Sequence, residues 1–373
     1  MTRRALWALL AVFALIIAAC GDDAGSDTTT TEAAEEEVAA TTTTAPPPET
    51  TTTEEAMAEI GSFQHPIQVL FVPSTDADEI IAGGELLKAV LEVETGYTYE
   101  VSVPTSYGAV VEEMCASPDD TIGFIPAQAY VIASDLCGVE PLLKAIRFGY
   151  DVYWTQFIVP RDSDIETLED LNGKTWAYPE VTSTSGYLVP LGVFNNLGIV
   201  TGEGFEAGGH TATALAIYNG EADFGTTFFS PAIDSESNVV WDEDPANADV
   251  PADLLAGCGL NEDGALFCGD DYEVRDARRN IREDQPDVAQ KVRIVTLTDE
   301  IPNDTMSFSP DFDEAQRDLI VAAFRAFAEE DPELFAQTMD AYSWTGVTDT
   351  NDSEFDSIRE ALSTLGLGPD DLG

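Results

Sequence analysis

From Ile67 onward, short apolar runs take turns with longer amphipathic stretches, the pattern of strands alternating with helices. Ile67 to Pro73 is a first strand, and Ser74-Thr75-Asp76 then starts a helix whose apolar positions run from Ile80 to Val93. Tyr97 to Val103 predicts a second strand followed by a helix at Ala109 to Ala116. Thr121 to Ile125 predicts a third, followed by a helix at Ala127 to Ser134. Tyr153 to Pro160 reads as a strand leaving this first set. A second set starts near Arg161: a short helix at Ile165 to Leu171, a strand at Gly173 to Tyr178, and an apolar helix at Tyr187 to Leu197. It continues through Phe205, a helix at Thr211 to Tyr218 and a strand at Ala222 to Thr227. A strand at Arg293 to Leu297 and helices at Asp313 to Glu329 and Pro332 to Thr338 close the chain. Asp234 to Pro251 and Cys258 to Tyr272 carry no periodicity and read as an acidic insertion or long loops. The alternation predicts parallel α/β sheets, and residues 62–373 suffice for two lobes with cores of their own.

Three hydroxyl clusters each follow a predicted strand: Ser74-Thr75, Thr105-Ser106 and Ser183-Thr184-Ser185. Open α/β sheets bind ligands beyond the carboxyl ends of their strands. The Ser183-Thr184-Ser185-Gly186 run falls at a strand-to-helix turn, where backbone N–H groups point outward and the helix dipole adds partial positive charge. Such a turn binds phosphate-like anions without a basic residue. The alternative reading is an ordinary N-cap with additional serines.

The chain starts with a different pattern. Arg3 and Arg4 precede an apolar run from Ala5 to Ile17, and Ile17-Ala18-Ala19-Cys20-Gly21 is a lipobox. Residues 1–19 therefore read as a signal peptide and Cys20 as a lipidation site that anchors the protein to the outer face of the cell membrane. The alternative is an ordinary signal peptide with an incidental cysteine. Residues 20–61 are mostly Thr, Glu, Ala and Pro, a composition too polar to offset the entropy of ordering, and read as a disordered tether. His65, at the end of this tether, is expected to be solvated.

Charge narrows the partners. The chain has 70 acidic and 16 basic residues, a net charge of −54, so nucleic acid and anionic membrane surfaces are poor partners. Screening weakens carboxylates beyond about 8 Å at physiological salt, so a local turn still binds an anion. Besides Cys20 there are four cysteines, Cys115, Cys137, Cys258 and Cys268, an even count that implies two disulfides in an exported domain. Of three possible pairings, the sequence-local one, Cys115–Cys137 and Cys258–Cys268, is favoured. No CxxC pair and only two histidines argue against zinc. Asp349 to Glu360 has calcium-loop spacing but Glu354 where such a loop needs glycine. No metal or cofactor is implied.

Several phrases occur in a telling order: Ser183-Thr184-Ser185-Gly186-Tyr187-Leu188-Val189-Pro190, Gly209-His210-Thr211-Ala212, Tyr218 to Thr227, Ile301-Pro302-Asn303-Asp304 and Trp344-Thr345-Gly346. Over Ile67 to Leu365 the chain resembles the solute-binding subunit of phosphate, phosphite and phosphonate ABC importers, a family of type II periplasmic binding proteins. The resemblance implies two lobes, each a mixed, mainly parallel sheet flanked by helices, joined by two crossing strands that act as a hinge. It implies lobe 1 over 62–159 and 305–373 and lobe 2 over 160–304. It further implies that Ser183, Thr184, Ser185 and His210 hold a small phosphorus oxyanion and that Tyr107 faces it from the opposite lobe. Tyr153, with Tyr150 close by in sequence, matches a second family tyrosine. Asp304 would lie at the ligand's far end and accept a proton from a monoprotonated oxyanion, and Ser74 and Thr75 join the site as a strand-end cluster. One departure stands out: where aminoalkylphosphonate binders carry an amine-pairing glutamate, this chain has Ser230, in Phe228-Phe229-Ser230-Pro231.

The expected function is then capture of a small phosphorus oxyanion by a monomeric lipoprotein that hands it to an ABC permease and catalyses nothing. Two other readings remain: a sensor or adhesion lipoprotein without a permease, and a hydrolase with Ser183 or Ser185, His210 and Asp223 as a triad. No GxSxG elbow frames either serine.

Overall fold

The computed structural model describes residues 58–368; the expected signal peptide, Cys20 and the tether up to residue 57 lie outside the described residues. The folded part starts slightly before the expected 62: Gly61 bonds to His65 and Thr98, and Gln316 reaches back to the Ile60 carbonyl.

The first half runs β1 (Ile67–Phe71), α1 (Ala77–Thr95), β2 (Tyr99–Ser102), α2 (Tyr107–Ala116), β3 (Thr121–Ile125), α3 (Ala127–Cys137) and β4 (Glu140–Ile146). Next come β5 (Val152–Pro160), β6 (Trp176–Tyr178), α4 (Val189–Leu197), β7 (Gly204–Glu206), α5 (His210–Asn219) and β8 (Phe224–Phe229). The chain continues through β9 (Cys258–Leu260), β10 (Leu266–Cys268), α6 (Val288–Lys291), β11 (Val292–Leu297), β12 (Ile301–Pro302) and β13 (Thr305–Phe308). It closes with α7 (Glu314–Glu330), α8 (Pro332–Thr338), β14 (Gly346–Asp349) and α9 (Asp356–Leu365).

The strands form two mixed sheets flanked by helices. The first has the order β14-β4-β13-β3-β1-β2, the second β11-β5-β8-β6-β7 with β12 beside β5. In each, the strands that alternate with helices are parallel: β2-β1-β3 and β7-β6-β8. Strands that return from elsewhere enter antiparallel: β13, β4 and β14 in the first sheet, β5 and β11 in the second. β5 pairs only within the second sheet, so the first crossing between sheets falls before Val152 rather than after Val159; the second lies between Pro302 and Thr305. The two crossing segments are bonded side by side, Ala145 N–H to Asp304 O and Asn303 N–H to Asp151 O.

Both cores follow the sequence pattern. β3 is buried along its whole length, and α3 buries seven residues in a row because it is wedged between lobes. The acidic insertion is partly ordered: β9 and β10 form a hairpin in which Cys258 and Cys268 are register partners and disulfide-bonded. Cys115 is joined to Cys137, tying the ends of α2 and α3. His65 is not free in solvent. Its Nε2 lies 2.6 Å from Asp120 Oδ2, which raises its pKa. The calcium-like segment has its carboxylates in ion pairs, Asp349 with Arg325, Asp352 with Arg359 and Glu354 with Lys144.

Candidate functional site

Every parallel strand next to the crossing ends at one place. A cavity of about 40 Å³ lies between the lobes, lined by Val72, Ser74, Tyr107, Pro126, Arg147, Tyr153, Ser183, Ser185, His210, Phe228, Asp304, Ala341 and Tyr342. Val72 and Ser74 follow β1, Tyr107 follows β2, Pro126 follows β3, Ser183 and Ser185 follow β6, and His210 follows β7.

Four helix starts converge on this cavity. Tyr107 is the first residue of α2, Pro126 the N-cap of α3 and His210 the first residue of α5. Ser183 caps a wide helical turn, Thr184–Leu188, that runs directly into α4. Each start brings partial positive charge to the cavity, although some of the first N–H groups already have protein acceptors: Tyr107 N–H has Glu180 Oε2, Gln128 N–H has Thr184 Oγ1, His210 N–H has Ser74 O and Gly186 N–H has Ser183 Oγ. Two glycines make the turns feasible. A Cβ on Gly186 would stand 2.3 Å from the Pro179 ring, and Gly209 has φ +136°, a conformation side chains rarely adopt.

The hydroxyls divide into two groups. Ser183 Oγ accepts from Gly186 N–H at 3.1 Å and lies 3.4 Å from His210 Nε2. Ser185 stands beside the Tyr153 hydroxyl. These line the cavity. Thr184 does not line it; its Oγ1 accepts the Gln128 N–H of the opposite lobe at 2.7 Å, and its side chain, like that of Ser185, stands beside the Tyr153 hydroxyl. Thr75 does not line it either, and pairs with Thr211 across the lobes at 3.2 Å. Three further bonds hold the lobes together: Gln128 Nε2 to Val181 O, His210 N–H to Ser74 O, and Tyr107 N–H to Glu180 Oε2 at 2.9 Å. The described state is thus a closed one. Tyr150 points away, its hydroxyl donating to Glu243. Ser230 is buried but does not line the cavity; Phe228 forms that wall.

Electrostatics are set by burial. His210 is 4% exposed, and burial together with the nearby Arg147 charge pushes its pKa down to about 3. It is therefore neutral at pH 7, with Nδ1 buried and without a partner among the described residues. Tyr107, Tyr153 and Tyr342 have pKa values raised by burial first and by Asp304 among the nearby charges, so all remain protonated donors. The proposed triad is not assembled: the Asp223 carboxylate accepts Thr175 N–H and O–H at 2.8 Å, on the outside of the second sheet.

Sequence reasoning missed Arg147, Tyr342, Gln128 and Glu180. Arg147 is buried, and its guanidinium contacts Asp304 Oδ2 at 2.5 Å. Tyr342 donates to Val72 O at 2.5 Å. A signal existed for Arg147 alone: it is a rare basic residue a few positions before a predicted crossing strand.

A family model described as "ABC transporter, phosphonate, periplasmic substrate-binding protein" matches residues 69–355. A phosphate-import protein, PhnD, from Mycolicibacterium smegmatis is 32% identical over 181 residues, covering 44% of this chain and 56% of that protein. The chain thus spans a little over half the length of this curated relative. A binding protein of an ABC phosphonate transporter from Pseudomonas aeruginosa superposes with a TM-score of 0.60 at 18% identity, covering 79% of this chain and 84% of that one. PhnD1 from Prochlorococcus marinus, solved with methylphosphonate, gives 0.59 at 14% identity, covering 80% and 98%. Two mixed sheets with helices on their faces, a cavity at the strand ends between them and a family match over most of the described residues lead to one assignment: the chain belongs to the phosphonate-type periplasmic substrate-binding proteins of ABC transporters, a family of extracytoplasmic, non-catalytic solute binders with the two-lobed type II fold.

Proposed function

We propose that this protein captures a small phosphorus oxyanion (phosphate, phosphite or a small phosphonate) and delivers it to an ABC permease, acting as a monomer tethered to the membrane through lipidated Cys20. The observation that carries this reading is the convergence of four helix starts on a cavity of about 40 Å³ lined with hydroxyls. At roughly 10–15 Å³ per water site, such a cavity has room for about three or four water-sized groups, the scale of the three or four outer atoms around the phosphorus of a small oxyanion. Names among the relatives point the same way, one a phosphate importer and one bound to methylphosphonate.

In this reading Ser183 and Ser185 donate to ligand oxygens from the second lobe. The neutral His210, donating from Nε2 to Ser183 Oγ, leaves the Ser183 proton for the ligand. Tyr107 and Tyr153 donate from around the cavity, Tyr342 forms a wall with its hydroxyl proton held by the Val72 carbonyl, and Ser74 closes from the first lobe. Asp304 accepts a proton from a monoprotonated oxyanion, which disfavours sulfate. Thr184 and Thr75 act differently from the expectation, as clasps between lobes. The long-range charge of −54 does not oppose capture, since the nearby donors act at about 3 Å and distant carboxylates are screened.

A thermal-unfolding panel with phosphate, phosphite, methylphosphonate, 2-aminoethylphosphonate and sulfate tests this. A ligand at ~100 times its Kd stabilises by about 2.7 kcal/mol. At least one phosphorus oxyanion is expected to raise the Tm and sulfate to leave it unchanged; no shift with any phosphorus oxyanion would overturn the proposal.

A further inference from the structure

Arg147 is 7% exposed and lines the cavity, yet its guanidinium is only partly used. Nε donates to Tyr342 O at 2.8 Å, one terminal nitrogen to Asn303 Oδ1 at 2.7 Å and the other to Asp304 Oδ2 at 2.5 Å. Guanidinium has five N–H groups, so two are left over among these partners. The group is held rigidly. Asn303 is itself fixed by donating to the Ala145 and Tyr150 carbonyls, and the guanidinium lies 5.3 Å above the Tyr153 ring centre. A buried ion pair contributes little net stability, and leftover buried donors cost free energy unless an acceptor arrives. A bound oxyanion is such an acceptor.

Asp304 is the one carboxylate among the residues lining the cavity, and Arg147 neutralises it. An ammonium group on a ligand would therefore meet a compensated carboxylate and a cation, with Phe228 as the adjoining wall.

Resting on the reading above, we propose that Arg147 is the specificity-determining residue of the site: it offers its remaining N–H groups to a ligand oxygen and cancels the charge of Asp304, so that the cavity selects small oxyanions without a cationic tail. This assigns to the Arg147–Asp304 pair the selectivity that the sequence suggested for Ser230. Ser230 contributes nothing directly, since it does not line the cavity.

Calorimetry with phosphate, methylphosphonate and 2-aminoethylphosphonate on the full chain tests it. Wild type is expected to bind methylphosphonate at least tenfold tighter than 2-aminoethylphosphonate. Arg147→Gln is expected to lose about ten- to a hundredfold in methylphosphonate affinity and to lose that preference, because Asp304 becomes available to the amine. Arg147→Lys, which retains the charge, is expected to keep the preference while binding more weakly, an outcome that a purely structural role does not give. Should Arg147→Gln not fold, Asp304→Asn decides. It keeps the guanidinium and leaves no carboxylate for an amine, so the preference for methylphosphonate over 2-aminoethylphosphonate is expected to persist or grow, whatever the change in absolute affinity. Wild type that prefers the amine, Arg147→Gln with unchanged affinity and preference, or an Asp304→Asn variant that prefers the amine would each overturn the inference. If wild type binds no phosphorus oxyanion at all, the functional reading fails first and separately.

Discussion

The two walls of the cavity work by different physics. The second-lobe wall, with Tyr153, Ser183, Ser185, His210 and Phe228, carries no formal charge at pH 7, since His210 is held neutral. It relies on hydroxyls and on the starts of α5 and the turn leading into α4. The facing wall places Ser74, Tyr107 and Tyr342 against the same space, and the crossing segments add a matched charge pair, Arg147 and Asp304. On the proposed reading, the comparison accounts for how a chain with a net charge of −54 would hold an anion. Gripping is assigned to short-range dipoles that need no basic residue. Charge enters only as a neutralised pair on the crossing segments, to which the inference above assigns ligand choice.

The sharpest way to break this division is to strip the uncharged wall. Ser183→Ala combined with Ser185→Ala removes two donors to a charged ligand, each worth about 1.5–3 kcal/mol. Affinity is expected to fall roughly a hundredfold or more in calorimetry, at ~1.4 kcal/mol per decade, while stability without ligand falls by only about 1 kcal/mol from the lost Ser183 cap.

Thr184→Ala should have a smaller effect by another route. Thr184 Oγ1 accepts the Gln128 N–H across the lobes and does not line the cavity. Removing it strands a buried donor in the closed state, costing about 1–3 kcal/mol, so binding is expected to weaken about tenfold. Small-angle scattering of the variant should show a larger fraction of open molecules at partial saturation than wild type shows. A loss equal to that of the double serine variant would put Thr184 in the cradle after all.

Acidity gives a third test. Glu180 is buried, and burial is the main cause that pushes its pKa up to about 7, with Glu206 adding to it and the Tyr107 N–H opposing. A pKa raised in the closed state means that protonation favours closure: the contribution is full below about 4.5 and is lost as pH rises through about 7. His210 runs the other way, its depressed pKa disfavouring closure as pH falls below its ordinary 6.5. The informative quantity is therefore the difference between wild type and Glu180→Gln. Wild-type affinity relative to the variant is expected to rise on acidification from pH 7.5 to 5, by less than tenfold per pH unit. A flat or falling difference would contradict the burial argument.

The smallest effect on binding is expected at the disulfides. Replacing Cys115 and Cys137 with Ala removes a bridge across a sequence separation of 22 residues, which should cost roughly 3 kcal/mol of stability. The bridge lies away from the cavity-lining residues, so the Tm should drop while affinity at 25 °C stays within about twofold.

What could be read from the sequence follows the same contrast. The hydroxyl cradle was legible because strand, N-cap serine and apolar helix are adjacent in sequence from Gly173 to Leu197. The disulfide partners were legible for a similar reason, being near in the chain. Strands β4, β13 and β14 were not recognised: β4 contains Pro141 and Lys144, and β13 has Thr305 and Ser307 in a polar seam, Thr305 donating to the Ile125 carbonyl and sharing a hydrogen bond with Ser307. Arg147 and Asp304 come together only because the two crossing segments lie side by side, a contact no local pattern encodes. Thr184 and Thr75 looked like ligand groups for the same reason in reverse. Their hydroxyls sit in the right turns but face a partner from the other lobe.

The central claim, that the uncharged wall holds a phosphorus oxyanion, is tested most directly by titrating phosphate and methylphosphonate into wild type and into the Ser183→Ala, Ser185→Ala double variant by isothermal calorimetry at pH 7.5. The account predicts saturable one-to-one binding of at least one of the two to wild type and a loss of about a hundredfold or more in the variant. Binding of equal strength in both proteins, or none in wild type, would contradict it.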